Sequence, residues 1–348
     1  MNRLRLSLLF FLISSPMGCL DQKPSVSWDP VTTNLRSSLR GLSAVDAQTA
    51  WISGTAGGFA FTRDGGANWV TGSVAGADSL DFRDVEAFPD GTAYLMSAGA
   101  GNLSRIYKTA DWGESWTLQH TNPLESGFFN GMAFWNDENG MVVGDPVDGT
   151  LFLLATTDGG ESWGRLTSEQ LPEVLEGEYG FAASGTNITT FGDGGLAVVS
   201  GGPVARVFRT PDRGRSWDVI TSPMAAGNAS SGIFSIAFRD LNSAMVVGGD
   251  YQNPDETAGT VAVSTDGGKS WEPAPEPHGV SFRSGVAWRE DLRWSMWVSV
   301  GTPGSSFSMN QGQSWETFDD EPYNAVAFAG SVGWAAGPEG RVARLSVR

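Results

Sequence analysis

The pattern [S/T]-x-D-x-G-x-[S/T/N]-W constrains this chain more than any other feature, because it recurs. Five clear copies start at Thr62, Thr109, Thr156, Thr210 and Ser264 and end at Trp69, Trp116, Trp163, Trp217 and Trp271. A sixth runs from Ser308 to Trp315 with an amide in place of the acid. The positions Asp64, Asp111, Asp158, Asp212, Asp266 and Asn310 lie 47, 47, 54, 54 and 44 residues apart. A period in this range means one supersecondary unit stacked on copies of itself, each unit burying a face that its neighbour supplies. The 348 residues therefore form one repetitive body rather than two unrelated domains.

Each unit has the same internal order. An alternating strand such as Arg83 to Phe88 comes first, and a strand of small and β-branched residues, such as Gly140 to Gly144, follows. A third strand, such as Thr150 to Ala155, leads into the boxed turn, and a short fourth strand starts at the tryptophan. Four strands of period two in 44 to 54 residues make one propeller blade. After the sixth box, Tyr323 to Val347 offers three more strands (Ala325 to Phe328, Val332 to Ala336, Arg341 to Leu345) but no fourth. The missing one is supplied by Ser27-Trp28-Asp29-Pro30-Val31, which echoes Ser216-Trp217-Asp218-Val219. The expectation is an all-β, seven-bladed β-propeller of four-stranded blades over residues 25–348, its ring closed by an amino-terminal strand that removes two free sheet edges.

The boxes resemble the Asp-box, or BNR repeat, of sialidases, xyloglucan-degrading glycosidases and sortilin-type receptors. The seven-unit layout is more similar to the photosystem II stability/assembly-factor-like propellers. The resemblance implies the fold and leaves activity open, because proteins that share the box differ in what they do. Within the turn the acid can accept backbone N–H groups, the glycine allows positive φ, and the tryptophan can pack between blades. Six equivalent copies around a rim cannot serve one centre, so Asp64, Asp111, Asp158, Asp212, Asp266 and Asn310 are read as structural.

Residues 1–18 read as a signal peptide of lipoprotein type. Arg3 and Arg5 precede the apolar run Leu6 to Ile13, and small and turn-forming residues lead to Cys19, the single cysteine. Lipidation of Cys19 and a tether over 19–24 follow, and with them an exported, periplasmic or cell-surface protein anchored to the outer membrane only through that lipid. One cysteine allows no intrachain disulfide. With 22 basic against 39 acidic residues the formal charge is −17, which excludes attraction of the whole molecule to nucleic acid.

The family geometry implies a face opposite the boxes, formed by the starts of the innermost strands and by the loops between second and third strands. Aligning Ala44, Ala87, Ala133, Gly185, Ala237, Ala287 and Ala327 places Arg40, Arg83, Phe129, Phe181, Ile233, Arg283 and Tyr323 at one level near the axis. Arg105, Arg206, Arg341, Asp148 and Tyr251 lie in the surrounding loops, with Asn130, Tyr179, Ser284 and Asn324 where strands enter. The expected ligand-binding set is Arg40, Arg83, Arg105, Arg206, Arg283, Tyr251 and Tyr323. An arginine fork grips a carboxylate or phosphate through two parallel hydrogen bonds, so an anionic small molecule, an acidic glycan or a segment of an envelope protein is the expected partner of a monomeric chain. The alternative use of the same arginines is to pair with Asp84, Asp145 and Asp250 and plug the channel.

A glycosidase or lyase acting on acidic glycans would need a facing carboxylate pair, with Asp145, Asp250 and Glu178 as candidates. The sialidase likeness would set Arg83, Arg206 and Arg283 beside Tyr251, Glu178 and Asp145, yet the Arg-Ile-Pro segment of sialidases is missing. A purely scaffolding role is the third possibility. With only His120 and His278, neither a histidine metal site nor a Ser-His-Asp triad is expected, and no cofactor motif is present. Asp145-Pro146-Val147-Asp148-Gly149 reads as a tight turn rather than a cation loop.

Overall fold

The computed structural model describes residues 23–275 and 280–348, so Cys19 and His278 lie outside the described residues. Seven antiparallel sheets follow one another along the chain. Blade 1 comprises Leu39–Ala44, Ala50–Gly54, Gly58–Thr62 and Val70–Ser73. Blade 2 comprises Phe82–Ala87, Ala93–Ser97, Arg105–Thr109 and Thr117–Thr121. Each later blade repeats this order from an innermost to an outermost strand, and consecutive innermost strands pack side by side around the axis. In blade 5 the pair Gly201–Gly202, from the blade 4 loop, adds to the inner strand Asn228–Phe238 as a fifth member.

Ring closure follows the sequence echo. Val26–Val31 pairs antiparallel with Val342–Val347, bringing Trp28 opposite Leu345. Trp28 packs with Met296, Phe307 and Tyr323 between blades 6 and 7, and its indole N–H donates to Ser305 Oγ at 2.9 Å. Pro30 is tolerated because this strand is the outermost of its sheet, where one row of N–H groups faces away from any partner.

The boxed turn is a closed hydrogen-bond circuit. In the third copy Thr156 Oγ1 donates to Asp158 Oδ1 at 2.8 Å and accepts Gly160 N at 2.8 Å. Asp158 Oδ1 accepts Ser162 N at 3.0 Å, and Asp158 Oδ2 accepts Ser162 Oγ at 2.6 Å. Gly160 sits at φ 78, and its counterparts Gly66, Gly113, Gly214, Gly268 and Gly312 share the left-handed region, which only glycine enters freely. The worn copy keeps the circuit by reversing one bond: Asn310 Nδ2 donates to Ser314 Oγ at 2.9 Å. The tryptophans pack outward onto the preceding blade, as Trp116 does edge-on against Phe59.

The closing strand enters the ring on this same boxed face. Val26 lies opposite Val347, at the end where third strands run into boxes, and Lys23 pairs with Glu316, the residue after Trp315.

Candidate functional site

On the opposite face, the innermost strands share a local irregularity. In blades 1, 2, 3 and 5 the register between first and second strands slips by one residue, at Arg40, Arg83, Asn130 and Phe234. In blades 6 and 7 the same doubling occurs at the strand start. Ser284 N and Asn324 N bond Val300 O and Ala336 O, which already oppose Gly285 and Ala325. A bulge turns the extra side chain out of the pleat. All six of these residues line one axial funnel of about 540 Å³.

The floor of the funnel is a segment of blade 4. Tyr179 to Gly185 leaves the rim and crosses the axis: Ala182 O and Ala183 O accept Arg83 Nη1 and Arg40 Nη1 at 3.2 Å, and Ser184 Oγ donates to Ser284 O at 2.8 Å. Gly185 must be glycine twice over. Its φ is 76, and a Cβ there would come within 2.3 Å of the Asp84 carboxylate. Asp84 accepts Val85 N at 2.8 Å and, across the blade boundary, Met132 N at 2.7 Å. Burial pushes its carboxyl up to about 7 against these two donors.

The walls differ in chemistry. Arg40 and Arg83 form a cationic arc in blades 1 and 2. Arg83 Nε is held by Asp81 at 2.7 Å, while Arg40 has no carboxylate within bonding distance among the described residues. Burial first, then the neighbouring Arg83, lowers the Arg40 pKa, and Asp81 partly offsets both. Opposite them stands an aromatic wall from blades 4 to 6. Phe181 stacks on Phe234 with centroids 3.9 Å apart, Phe282 meets Phe234 edge-on at 4.8 Å, and Tyr179 and half-exposed Tyr251 complete the rim. Among the described residues Asp145 is the one carboxylate lining the funnel. It accepts Asn130 Nδ2 at 2.9 Å, and burial raises its pKa.

The other expected site residues fall elsewhere. Arg283 is one position out of register: Ser284 takes the axial place and Arg283 is buried between blades, 2 % exposed. It donates to Phe282 O at 2.9 Å and Ser306 Oγ at 2.9 Å, and burial lowers its pKa to about 10. The same offset sends Tyr323 into the core against Trp28, with Asn324 at the funnel, and replaces Phe129 and Ile233 by Asn130 and Phe234. Arg105 is held at the rim by Asn102 O at 2.6 Å.

Glu178 and Arg206 pair with each other. Glu178 Oε1 accepts Arg206 Nε at 2.9 Å and Ser200 Oγ at 2.5 Å, and Oε2 accepts Leu175 N at 2.9 Å. Glu178 thus pins the base of the crossing segment. Asp250 is spent on its own loop, accepting Gln252 N at 2.9 Å and Asn253 Nδ2 at 2.9 Å. Burial pushes its pKa up, and hydrogen bonds from Ser230, Asn253, Gln252 and Asn228 outweigh that and hold it at about 2. The facing carboxylate pair of a glycosidase does not assemble in the funnel. Nor, among the described residues, do Asp84, Asp145 and Asp250 pair with Arg40, Arg83 or Arg283; Asp81 pairs with Arg83. The Asp148-Gly149 pair forms a two-residue turn at φ 54 and 75 between Val147 and Thr150.

Sequence reasoning missed Phe234, Phe282 and Asp81. Phe234 was one residue from the chosen register, and Phe282 is adjacent to the misplaced Arg283. Phe234 could have been found from the strand end, because Phe238, and not Ala237, holds the place of Ala44 and Ala87 opposite the first residue of the second strand, whereas Phe282 and Asp81 sit outside the aligned positions.

Six closed box circuits, seven blades and an axial funnel define the molecule as a seven-bladed Asp-box propeller. The BNR/Asp-box repeat family matches at residues 262–273, the fifth box. Among such propellers the chain is similar to the photosystem II assembly lipoprotein Ycf48 of Synechococcus sp. (strain CC9902), with 28 % identity over 241 residues. That match takes in 66 % of this chain and 60 % of the relative's length. Two solved structures share the fold. YCF48 bound to D1 peptide has 15 % identity and a TM-score of 0.63, covering 92 % of this chain and 96 % of that one. YCF48 from Cyanidioschyzon merolae has 16 % identity and a TM-score of 0.64, covering 91 % and 98 %.

Proposed function

We propose that the funnel captures an extended segment of another protein, as an assembly factor would, and that the segment offers a carboxylate beside an apolar or aromatic side chain. The observation that carries this is the split of the funnel. Arg40 and Arg83 each give one Nη1 to the crossing segment, which leaves further guanidinium donors for an incoming anion. The phenyl faces opposite suit a side chain with low polarity. A peptide satisfies both walls, whereas a small anion or an acidic glycan uses only the first. One of the similar structures holds a D1 peptide, which supports a peptide as the class of ligand. The single lining carboxylate gives no basis for two-carboxylate glycoside cleavage.

The protein is exported and held at a membrane by a lipid on Cys19. The charged start, the Leu6 to Ile13 run and the lone cysteine support this, as does the lipoprotein named among its relatives. Mass spectrometry of the Cys19-containing peptide from membranes tests it; an unmodified cysteine in a soluble chain overturns it. For the funnel, fluorescence anisotropy with labelled peptides is decisive. Peptides carrying an acidic residue next to phenylalanine or leucine bind, their amide or alanine counterparts bind at least about tenfold more weakly, and acidic oligosaccharides do not compete. Equal binding of all peptides overturns the proposal.

A further inference from the structure

The turns between first and second strands lie on the boxed face, and five of them are built alike. Asp46 Oδ1, Asp90 Oδ1, Asn136 Oδ1, Asp240 Oδ1 and Asp291 Oδ1 each accept the N–H two residues on. The residue at the tip, just after that acceptor, is Ala47, Gly91, Asp137, Leu241 or Leu292. Four residue types occupy the tip, and the hydrogen bond that closes the turn uses no side chain there, so the turn does not ask for leucine. Yet Leu241 and Leu292, on adjacent blades 5 and 6, are the two most exposed large apolar side chains described, at 63 % and 109 %. Met309, in the sixth box, is 44 % exposed on the same face. Half-buried Trp294 stands two residues past Leu292, with Arg293 stacked 4.0 Å over its ring. Exposed Arg215 and Lys269 share this face, interspersed with Asp240, Asp266 and Asp291.

The place where the chain enters the propeller lies beside this patch. Lys23 pairs with Glu316 at the boxed end of blade 6, and the closing strand starts there. From Cys19 to Lys23 is four residues, a reach of at most about 14 Å. A lipid on Cys19 therefore brings this face, and not the funnel, against the bilayer. Leucine and methionine on projecting turns, with tryptophan and arginine just behind, is the order of groups that enters a headgroup layer: apolar tips inward, aromatic and cationic groups at the boundary.

We propose that the boxed face of blades 5 and 6 is a bilayer-docking surface, in which Leu241 and Leu292 insert among lipid headgroups and the funnel opens away from the membrane. This rests on the membrane anchoring inferred above, and the test separates the two. Because Cys19 is the only cysteine, the full chain can be coupled through it to maleimide-bearing lipid in vesicles of phosphatidylethanolamine and phosphatidylglycerol, whatever its state in the cell. Amide hydrogen exchange is then compared with uncoupled protein. Residues 239–243 and 290–295 slow by at least about tenfold on vesicles, while 46–49, 136–139 and the funnel segment 176–183 keep their solution rates. The double variant Leu241→Asp, Leu292→Asp stays coupled, keeps its fold by circular dichroism and loses the slowing. Slowing at the funnel, uniform slowing, or none overturns the proposal, as does slowing that needs added membrane protein. An unlipidated Cys19 in cells sinks the anchor and leaves the vesicle result to stand or fall by itself.

Discussion

The two faces of this propeller obey opposite rules. On the boxed face the same circuit of threonine or serine, acid or amide, glycine and serine or asparagine is drawn six times. On the funnel face one backbone device, a bulge at the start of the innermost strand, recurs with four kinds of side chain at six positions: Arg40, Arg83, Asn130, Phe234, Ser284 and Asn324. Repetition marks what every blade needs in order to stand beside the next. Variation at a repeated backbone position marks what no blade needs, and that is where binding chemistry can be placed without weakening the ring.

The sharpest way to break this comparison is at Glu178, which looks like funnel chemistry but is built as an anchor. Glu178→Ala leaves the largely buried Arg206 without its partner, and a loss of about 3 kcal/mol in unfolding free energy is expected by denaturant titration. A stability change within about 0.5 kcal/mol, with binding lost instead, would return Glu178 to the functional set. Arg40→Ala should do the reverse. Acidic peptide affinity falls by at least about tenfold, and stability moves by less than about 1 kcal/mol, since only one bond to Ala183 O is given up. If Arg40→Ala unfolds the ring, the arginine is a plug and not a receptor.

A box acid should weaken the fold modestly and leave binding alone. Asp158→Ala removes the acceptor for Ser162 N and two hydroxyls, so the unfolding midpoint falls slightly in the same titration and peptide anisotropy does not change. A smaller effect sharpens the contrast further, and it is one of pH. Ser162, first through its side chain and then through its N–H, with Thr156, holds the Asp158 carboxyl down at about 2, and Asp212 and Asp266 sit equally low. A depressed folded pKa contributes stability that is complete above about 4 and is lost as pH falls through about 2. Asp84, raised to about 7 by burial, acts with the opposite sign: its ionisation works against folding as pH rises from about 4 to about 7. Unfolding midpoints measured across pH 2 to 8 should therefore show an acid limb that Asp158→Ala flattens slightly, and a shallow decline towards neutrality that it leaves unchanged.

The ring and its closure were legible in the residues alone. Six boxes give the blade period, and the Trp28 echo supplies the missing strand, because both signals are local: hydrogen bonds within eight residues, and period-two burial within a strand. The side of the molecule to search was legible for the same reason. Which residues reach the axis was not. Ala133, Ala237, Ala287 and Ala327 stand one residue before the places equivalent to Ala44 and Ala87, and a shift of one in a strand sends a side chain to the other side of the sheet. Arg40 and Arg83 do line the funnel, because Ala44 and Ala87 mark the true register; Arg283 and Tyr323 lie behind the wall, with Ser284 and Asn324 in front. The crossing segment Tyr179 to Gly185 was equally hidden. Its floor exists only through bonds to Arg40, Arg83 and Ser284, which are about 100 or more residues away in the chain. The sequence determined a ring and the face opposite its fasteners; tertiary structure alone decided which side chains share the funnel, because that depends on one-residue register and on contacts between blades that no local pattern encodes.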